Sequence, residues 1–233
     1  MSKPLVIAID GPSGTGKSSV SKTVASRLGV SYLDTGAMYR ALAWSCVDAR
    51  IDLGDAEAVA EHARTLDLRM GMDPAAPTVS VGDRGIDAAI REDAVTSVVS
   101  QVATNLDVRA NMKQRQRDLI AQGSVATGGC VAEGRDITTV VAPDAPVRIL
   151  MTASEEARMT RRSRQLKVDT ESTRSQIVDR DRTDSTVSQF TTAADGVVTI
   201  DTSHIDFQQS VAAVLQVVKE VTHADPELST SLG

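Results

Sequence analysis

Gly11-Pro12-Ser13-Gly14-Thr15-Gly16-Lys17-Ser18 meets the pattern G-x-x-x-x-G-K-[ST] at every required position. That spacing is suited to holding phosphate. The glycines let backbone N–H groups turn inward toward phosphate oxygens without a side chain in the way. Lys17 brings a positive charge to the outer phosphates, and the Ser18 hydroxyl is of the type that ligates Mg²⁺. A helix opening at Lys17 would aim its positive end at the same anion. The expected triphosphate contacts run from Gly11 through Ser19.

A phosphate loop fixes what is held and leaves open what is done with it. Three classes use one: GTPase switches, ATPase motors and kinases of small acceptors. No Asn-Lys-x-Asp run that reads guanine occurs, no transporter ATPase signature occurs, and the chain is small for a motor. The kinase reading requires a second anion site opposite the loop, and the sequence offers material for one. Asp34-Thr35-Gly36-Ala37-Met38-Tyr39-Arg40 follows the first helix, where an acceptor would approach. Ser100 and Arg109 lie on a later helical stretch, and Glu133-Gly134-Arg135-Asp136 follows an apolar run. Ligand groups gather at such strand ends in open α/β sheets. Arg158, Arg161, Arg162 and Arg164 crowd seven residues, and Arg180-Asp181-Arg182 comes after them.

Four arginines so close repel one another unless acids or an anion compensate. Alone, such a run reads as a solvated helix face. Beside a phosphate loop it reads as a lid that closes over triphosphate. Lys17, Arg158 and Arg162 are then the expected catalytic charges. Tyr39 and Trp44 suit a core or an interface, and His62, His204 and His223 form no cluster.

These groups need a scaffold, and the hydrophobic pattern supplies one. Leu5-Val6-Ile7-Ala8-Ile9 reads as a strand buried on both faces. Val20, Val24 and Leu28 at four-residue spacing, with Gly29 as a stop, read as the helix after the loop. A second helix is expected over residues 41–47 and a small antiparallel hairpin over 66–86. One helical stretch is expected over 92–122 and a charge-dense helical segment over 154–184. Strands are expected at 130–132, 147–151 and 197–200, with a closing amphipathic helix over 207–221 and a frayed tail over 224–233. Strands alternating with helices predict an α/β fold around a parallel sheet.

The chain has 233 residues, enough for one α/β domain with an inserted subdomain. Aromatics make up only 2% of it, so Val, Ile, Leu and Ala must build the core. A net charge of −6 argues against a nucleic-acid coat while leaving room for a local arginine cluster. Cys46 and Cys130 are isolated, as expected in a reducing cytosol, and no apolar run approaches membrane length. The expectation is a cytoplasmic monomer with no nucleic-acid or membrane partner.

Taken together, four motifs give the chain a specific likeness. Asp10-Gly11-Pro12-Ser13-Gly14-Thr15-Gly16-Lys17, Asp34-Thr35-Gly36-Ala37-Met38-Tyr39-Arg40, Glu133-Gly134-Arg135-Asp136 and Arg180-Asp181-x-x-Asp184-Ser185 resemble bacterial cytidylate kinases from Leu5 to about Val221. The resemblance implies a P-loop core with a helical lid and a small antiparallel-sheet insert in the nucleoside-monophosphate-binding region. It places the core at about 4–35, 124–153 and 195–222. The monophosphate-binding region then covers about 36–123 with its insert at about 64–92, the lid about 154–186, and a tail 223–233. It implies ATP with Mg²⁺ as donor and CMP or dCMP as acceptor. Carried over by motif position, Thr35, Arg40, Ser100, Arg109, Arg135, Asp136, Arg180 and Asp184 would line the CMP site. Arg40, Arg109 and Arg135 would hold its phosphate, while Ser100, Arg180 and Asp184 would face the cytosine or sugar.

Three positions depart from the family pattern. Glu133 stands where an aspartate is usual, Thr35 replaces a serine and keeps the hydroxyl, and Val187 stands where an arginine is common. The last implies one acceptor-facing arginine fewer. Other acceptors, UMP or a hydroxylated metabolite, are the competing kinase reading, with Asp34 or Asp136 as base for a hydroxyl. A nucleotide-binding switch without phosphotransfer is the reading from another class.

Overall fold

The computed structural model describes residues 3–166 and 181–224. In chain order the first elements are β1 (Leu5–Asp10), α1 (Lys17–Leu28), β2 (Ser31–Asp34), α2 (Thr35–Asp48) and α3 (Ala56–Thr65). Next come three short strands, β3 (Leu68–Gly71), β4 (Thr78–Val81) and β5 (Arg84–Gly85). A single 3₁₀ turn at Ala89–Arg91 leads to α4 (Asp93–Thr96), α5 (Val99–Ala103) and α6 (Leu106–Thr127). The chain then forms β6 (Gly129–Gly134), a π-type turn at Ile137–Val141, β7 (Val147–Thr152) and α7 (Glu155–Leu166). It closes with β8 (Val198–Asp201) and α8 (Phe207–Ala224).

Strands β2, β6, β1, β7 and β8 lie in that order, all parallel. Along β1, Leu5, Ile7 and Ile9 pack with Val20 and Val24 of α1 and Val211, Val214 and Val218 of α8. Ala8 turns to the other face, against a core that holds Leu42, Val59, Val108, Met112 and Ile120 from α2, α3 and α6. Both faces of the strand are therefore covered, which is why its sequence reads as an unbroken apolar run. The chain leaves β1 for one side of the sheet (β2, β6) and returns to fill the other (β7, β8). The C-terminal end of β1 is thus the crevice where such sheets bind ligands.

Strands β3, β4 and β5 form the antiparallel insert. Val79 and Ile86, joined by Leu68, Met70 and Val81, pack on Ala37 and Ala41 of α2. The insert thereby props the helix that carries Arg40.

The structure departs from the sequence reading at several points. The stretch expected as one helix over 92–122 is three: α4 and α5 part at Ser97–Val98, and α6 starts afresh where Asn105 sits in an extended conformation and caps it with its side chain. The hairpin gains a third strand, β5. Helix α2 starts at Thr35, six residues before the expected start, so the Thr-Gly-x-x-Tyr-Arg motif is helical. Strand β2 and helix α3 are additions that the pattern did not announce. The expected helical segment over 154–184 is described as α7 up to Leu166; Arg180, the side chains of Arg162 and Arg164, and the tail 225–233 lie outside the described residues. Among the described residues no helix is long and apolar enough to cross a membrane.

Candidate active site

The phosphate loop links the end of β1 to α1, and two of its glycines are needed for space. A Cβ on Gly11 would stand 2.2 Å from the carbonyl oxygen of Met151 on β7. Gly14 adopts φ +82, and a Cβ there would meet Arg158 on α7 at 3.0 Å. Helix α7 is thus seated directly on the loop. The N-terminus of α1 has no side-chain cap, which leaves its first amides to an anion. Lys17 Nζ lies 3.2 Å from Glu133 Oε2 at the end of β6, and the Tyr32 hydroxyl donates to Glu133 Oε1 at 2.9 Å. The longer acid at this position therefore bridges Tyr32 and the loop lysine. Asp34 is the register partner of Glu133 on β2. Burial, and then the neighbouring Glu133, push its carboxyl above the usual range, while its Oδ1 accepts the Ala37 N–H and caps α2.

The turn after β6 is fixed from β1. Asp10 accepts from Ile137 N–H at 2.9 Å and from Thr138 N–H and Oγ1 at 2.8 and 2.6 Å. Burial raises the Asp10 pKa to about 6 in spite of those bonds. This clamp orients Arg135 and Asp136. Arg109 Nη2 meets Asp136 Oδ2 at 2.5 Å, and Arg109 Nη1 donates to the Ala103 carbonyl at 3.2 Å. Burial pushes the Asp136 carboxyl up and Arg109 pulls it back. Thr35 Oγ1 donates to the Glu133 carbonyl at 2.7 Å. Arg40 Nη1 donates to the Ile90 carbonyl and to Thr96 Oγ1, at 3.1 and 2.9 Å.

Arg135 is held from several sides. It stacks over the buried Phe190 ring at 4.5 Å and donates to Ser13 Oγ at 2.8 Å. It pairs with Asp181 Oδ1 at 2.8 Å and Asp184 Oδ2 at 2.6 Å. Arg158 Nη1 also pairs with Asp181, and donates to the Ser13 carbonyl at 3.1 Å. Arg161 lines the chamber described below and donates to the Thr15 carbonyl of the loop at 3.4 Å. Its guanidinium donates to Thr202 Oγ1 at 2.9 Å and to the Thr202 carbonyl, which ties α7 to the start of the loop before α8.

A cavity of about 850 Å³ joins these groups. Ser13 to Ser19, Thr35, Arg40, Arg109, Arg135, Asp136 and Asp184 line it, so most of the sequence candidates share one chamber. Ser100 is not among its lining residues and stands on α5, one turn before the lining Ala103. Arg158 is not among the lining residues either and reaches the loop at the Ser13 carbonyl. Tyr39, Arg91, Thr96 and Phe207 also line the chamber, and Arg91 lies 4.0 Å from Asp34. Sequence reasoning missed Arg91 and Thr96 because nothing in their spacing marks them; they arrive through the packing of α4 and the preceding turn on α2. His62 hydrogen-bonds Ser45 at 2.7 Å away from this chamber.

A glycine loop at the end of a central strand, opening a helix and facing an arginine-lined chamber, defines a P-loop nucleotide-binding enzyme. A crystal structure of an uncharacterized protein from Eubacterium ventriosum shares the fold at TM-score 0.52 and 12% identity, over 92% of this chain and 98% of that one. The cytidylate kinase family model matches residues 7–220. Cytidylate kinase of Streptomyces avermitilis is 47% identical over 93% of both chains. Cytidylate kinase of Cutibacterium acnes is 42% identical over 92% of this chain and 96% of its own. Cytidylate kinase of Nocardia farcinica is 42% identical over 93% and 94%. The chain belongs to the cytidylate kinase family.

Proposed function

We propose that this protein transfers the γ-phosphoryl group of ATP to CMP and dCMP, giving CDP or dCDP and ADP. The observation that carries the reading is the single chamber in which the phosphate loop faces Arg40, Arg109 and Arg135. An oxygen of the acceptor phosphate attacks the γ-phosphorus in line. The bond from that phosphorus to the β–γ bridging oxygen breaks, and ADP leaves with the electron pair. The acceptor oxygen is already ionised near neutral pH, so no general base is needed; catalysis rests on alignment and charge neutralisation.

Gly11 to Ser19 would hold the triphosphate, with Lys17 at its outer phosphates. Arg40, Arg109 and Arg135 would hold the acceptor phosphate against the repulsion of the donor. Asp184 would face the cytosine or sugar, with Thr35 and Asp136 lining the pocket; Ser100 and Arg180 are assigned by motif position alone. Arg158 and Arg162 would add positive charge at the transferring group. Core, monophosphate-binding region and lid would divide the work over about 4–35, 124–153 and 195–222; about 36–123; and about 154–186.

The donor set suits Mg²⁺, which takes hard oxygen ligands and is shared with substrate phosphates. The Ser18 hydroxyl lines the chamber and the Asp34 and Glu133 carboxylates end adjacent strands. Among the described residues no three acidic, histidine or cysteine side chains converge as a metal cage. When bound, Mg²⁺ neutralises charge on the phosphates. Glu133 holds Lys17 until the nucleotide draws it away.

Two variants test the halves of the site together. Lys17→Ala should lower turnover by at least about a hundredfold, the loss typical of a transition-state charge donor, with CMP affinity kept. Arg109→Ala should weaken CMP use by about tenfold to a hundredfold, as for one charge-assisted contact, with ATP affinity kept. Near-normal turnover in the first or unchanged CMP kinetics in the second would remove that residue from its role.

A further inference from the structure

One carboxylate stands where donor loop and acceptor arginine meet. Asp181 Oδ1 accepts the backbone N–H of Ser13, the third residue of the phosphate loop, at 3.3 Å and lies 2.8 Å from Arg135 Nη2. Its Oδ2 pairs with Arg158 Nη1. The loop amide belongs to the donor side and Arg135 to the acceptor side, and Arg135 bridges the two by donating to Ser13 Oγ. Ser13 and Arg135 both line the chamber, so the junction opens onto it. Two guanidiniums and a backbone amide around a bidentate oxyanion form a phosphoryl site by their chemistry.

We infer that Ser13 N–H, Arg135 and Arg158 form the subsite for the transferring phosphoryl group, and that the Asp181 carboxylate is its resident placeholder, exchanged for that group when nucleotide binds. This rests on the phosphotransfer reading above. Ser13 has one amide proton and cannot give it to a carboxylate and a phosphoryl oxygen at once. A negative charge between two arginines also keeps them assembled on the loop, where Asp184 at 2.6 Å and the Phe190 ring hold Arg135 from its other sides. Entry of a phosphoryl group thus replaces one anion by another in a preformed set of donors. It does not have to gather those donors. The cost is competition: the carboxylate must be displaced before the nucleotide is fully seated.

Competition predicts a gain where simple loss of a support predicts a loss. Calorimetry with magnesium and adenylyl imidodiphosphate should show Asp181→Asn binding about tenfold tighter than the unaltered chain, the order of one charge-assisted contact no longer exchanged. Inorganic phosphate should compete at lower concentration in that variant, and Asp181→Glu, which restores the charge, should return both values toward the original. In the unaltered chain, the ¹³C resonance of the Asp181 carboxyl carbon should shift on saturation with the analogue and CMP. That second measurement needs no variant to fold. Equal or weaker binding by Asp181→Asn, or an unmoved resonance, overturns the placeholder while leaving the kinase reading intact. An unaltered chain that binds no analogue overturns both.

Discussion

Asp10 and Glu133, both nearly fully buried, end adjacent strands and serve opposite purposes. Glu133 is compensated by Lys17 and Tyr32. Asp10 meets no cation at all in its hydrogen bonds; it spends its acceptors on the turn that presents Arg135. Burial therefore raises its pKa from 3.8 to about 6. Between those values the folded chain keeps a proton that the unfolded chain has released. Acidification from pH 6 to 4 thus adds stability from this group, and raising the pH through 6 loses it. Relative to Asp10→Asn, which cannot titrate, the unaltered chain should gain about 3 kcal/mol across that window, two pKa units' worth. Urea unfolding of both chains at pH 4 and 6.5 measures it, and a constant difference would mean that Asp10 titrates normally.

At the level of elements, the placing of Arg109 depends on a helix end. Arg109 lies in the first turn of α6, whose start is set by Asn105: its Oδ1 accepts the Asp107 and Val108 N–H groups at 3.0 and 3.2 Å. Its Nδ2 donates to the Ala56 carbonyl at 2.8 Å, joining α6 to α3. Asn105→Ala should cost about 1–2 kcal/mol of stability, as for a lost N-cap. It should also raise the KM for CMP a few-fold with the KM for ATP steady. A stability loss with unchanged CMP kinetics would show that the cap does not position Arg109. This same residue explains a gap in the sequence reading. Asn105 sits inside the stretch read as one helix, and only its extended backbone reveals that α6 starts afresh after it. Strand β2 was missed for another reason: Ser31-Tyr32-Leu33-Asp34 is too short to show a period, and its place is fixed by pairing with β6, about a hundred residues away. By contrast, β1, the loop and α1 are contiguous, and local pattern sufficed for them.

Across the whole molecule, the order β2-β6-β1-β7-β8 gathers distant segments onto one sheet edge. That is how Thr35, Arg109, Arg135 and Asp184, spread over some 150 positions, come to line one chamber. The motifs told which residues belong together, because their types match anion chemistry. They did not tell that Arg161 would bind Thr202 and the Thr15 carbonyl of the loop, or that Asp181 would stand between Arg135 and Arg158, since both depend on how α7 lies against the loop. Val187 lies in a hydrogen-bonded turn, its N–H donating to the Asp184 carbonyl at 3.3 Å, and brings no cation to the acceptor side. The central claim is therefore a claim about the acceptor. Coupled ADP release from ATP, with CMP, dCMP, UMP, AMP or no acceptor, measures it directly. The account predicts strong stimulation by CMP and dCMP, with little by AMP and little without acceptor. Equal release whether or not CMP is present, or stimulation by another acceptor alone, would contradict it.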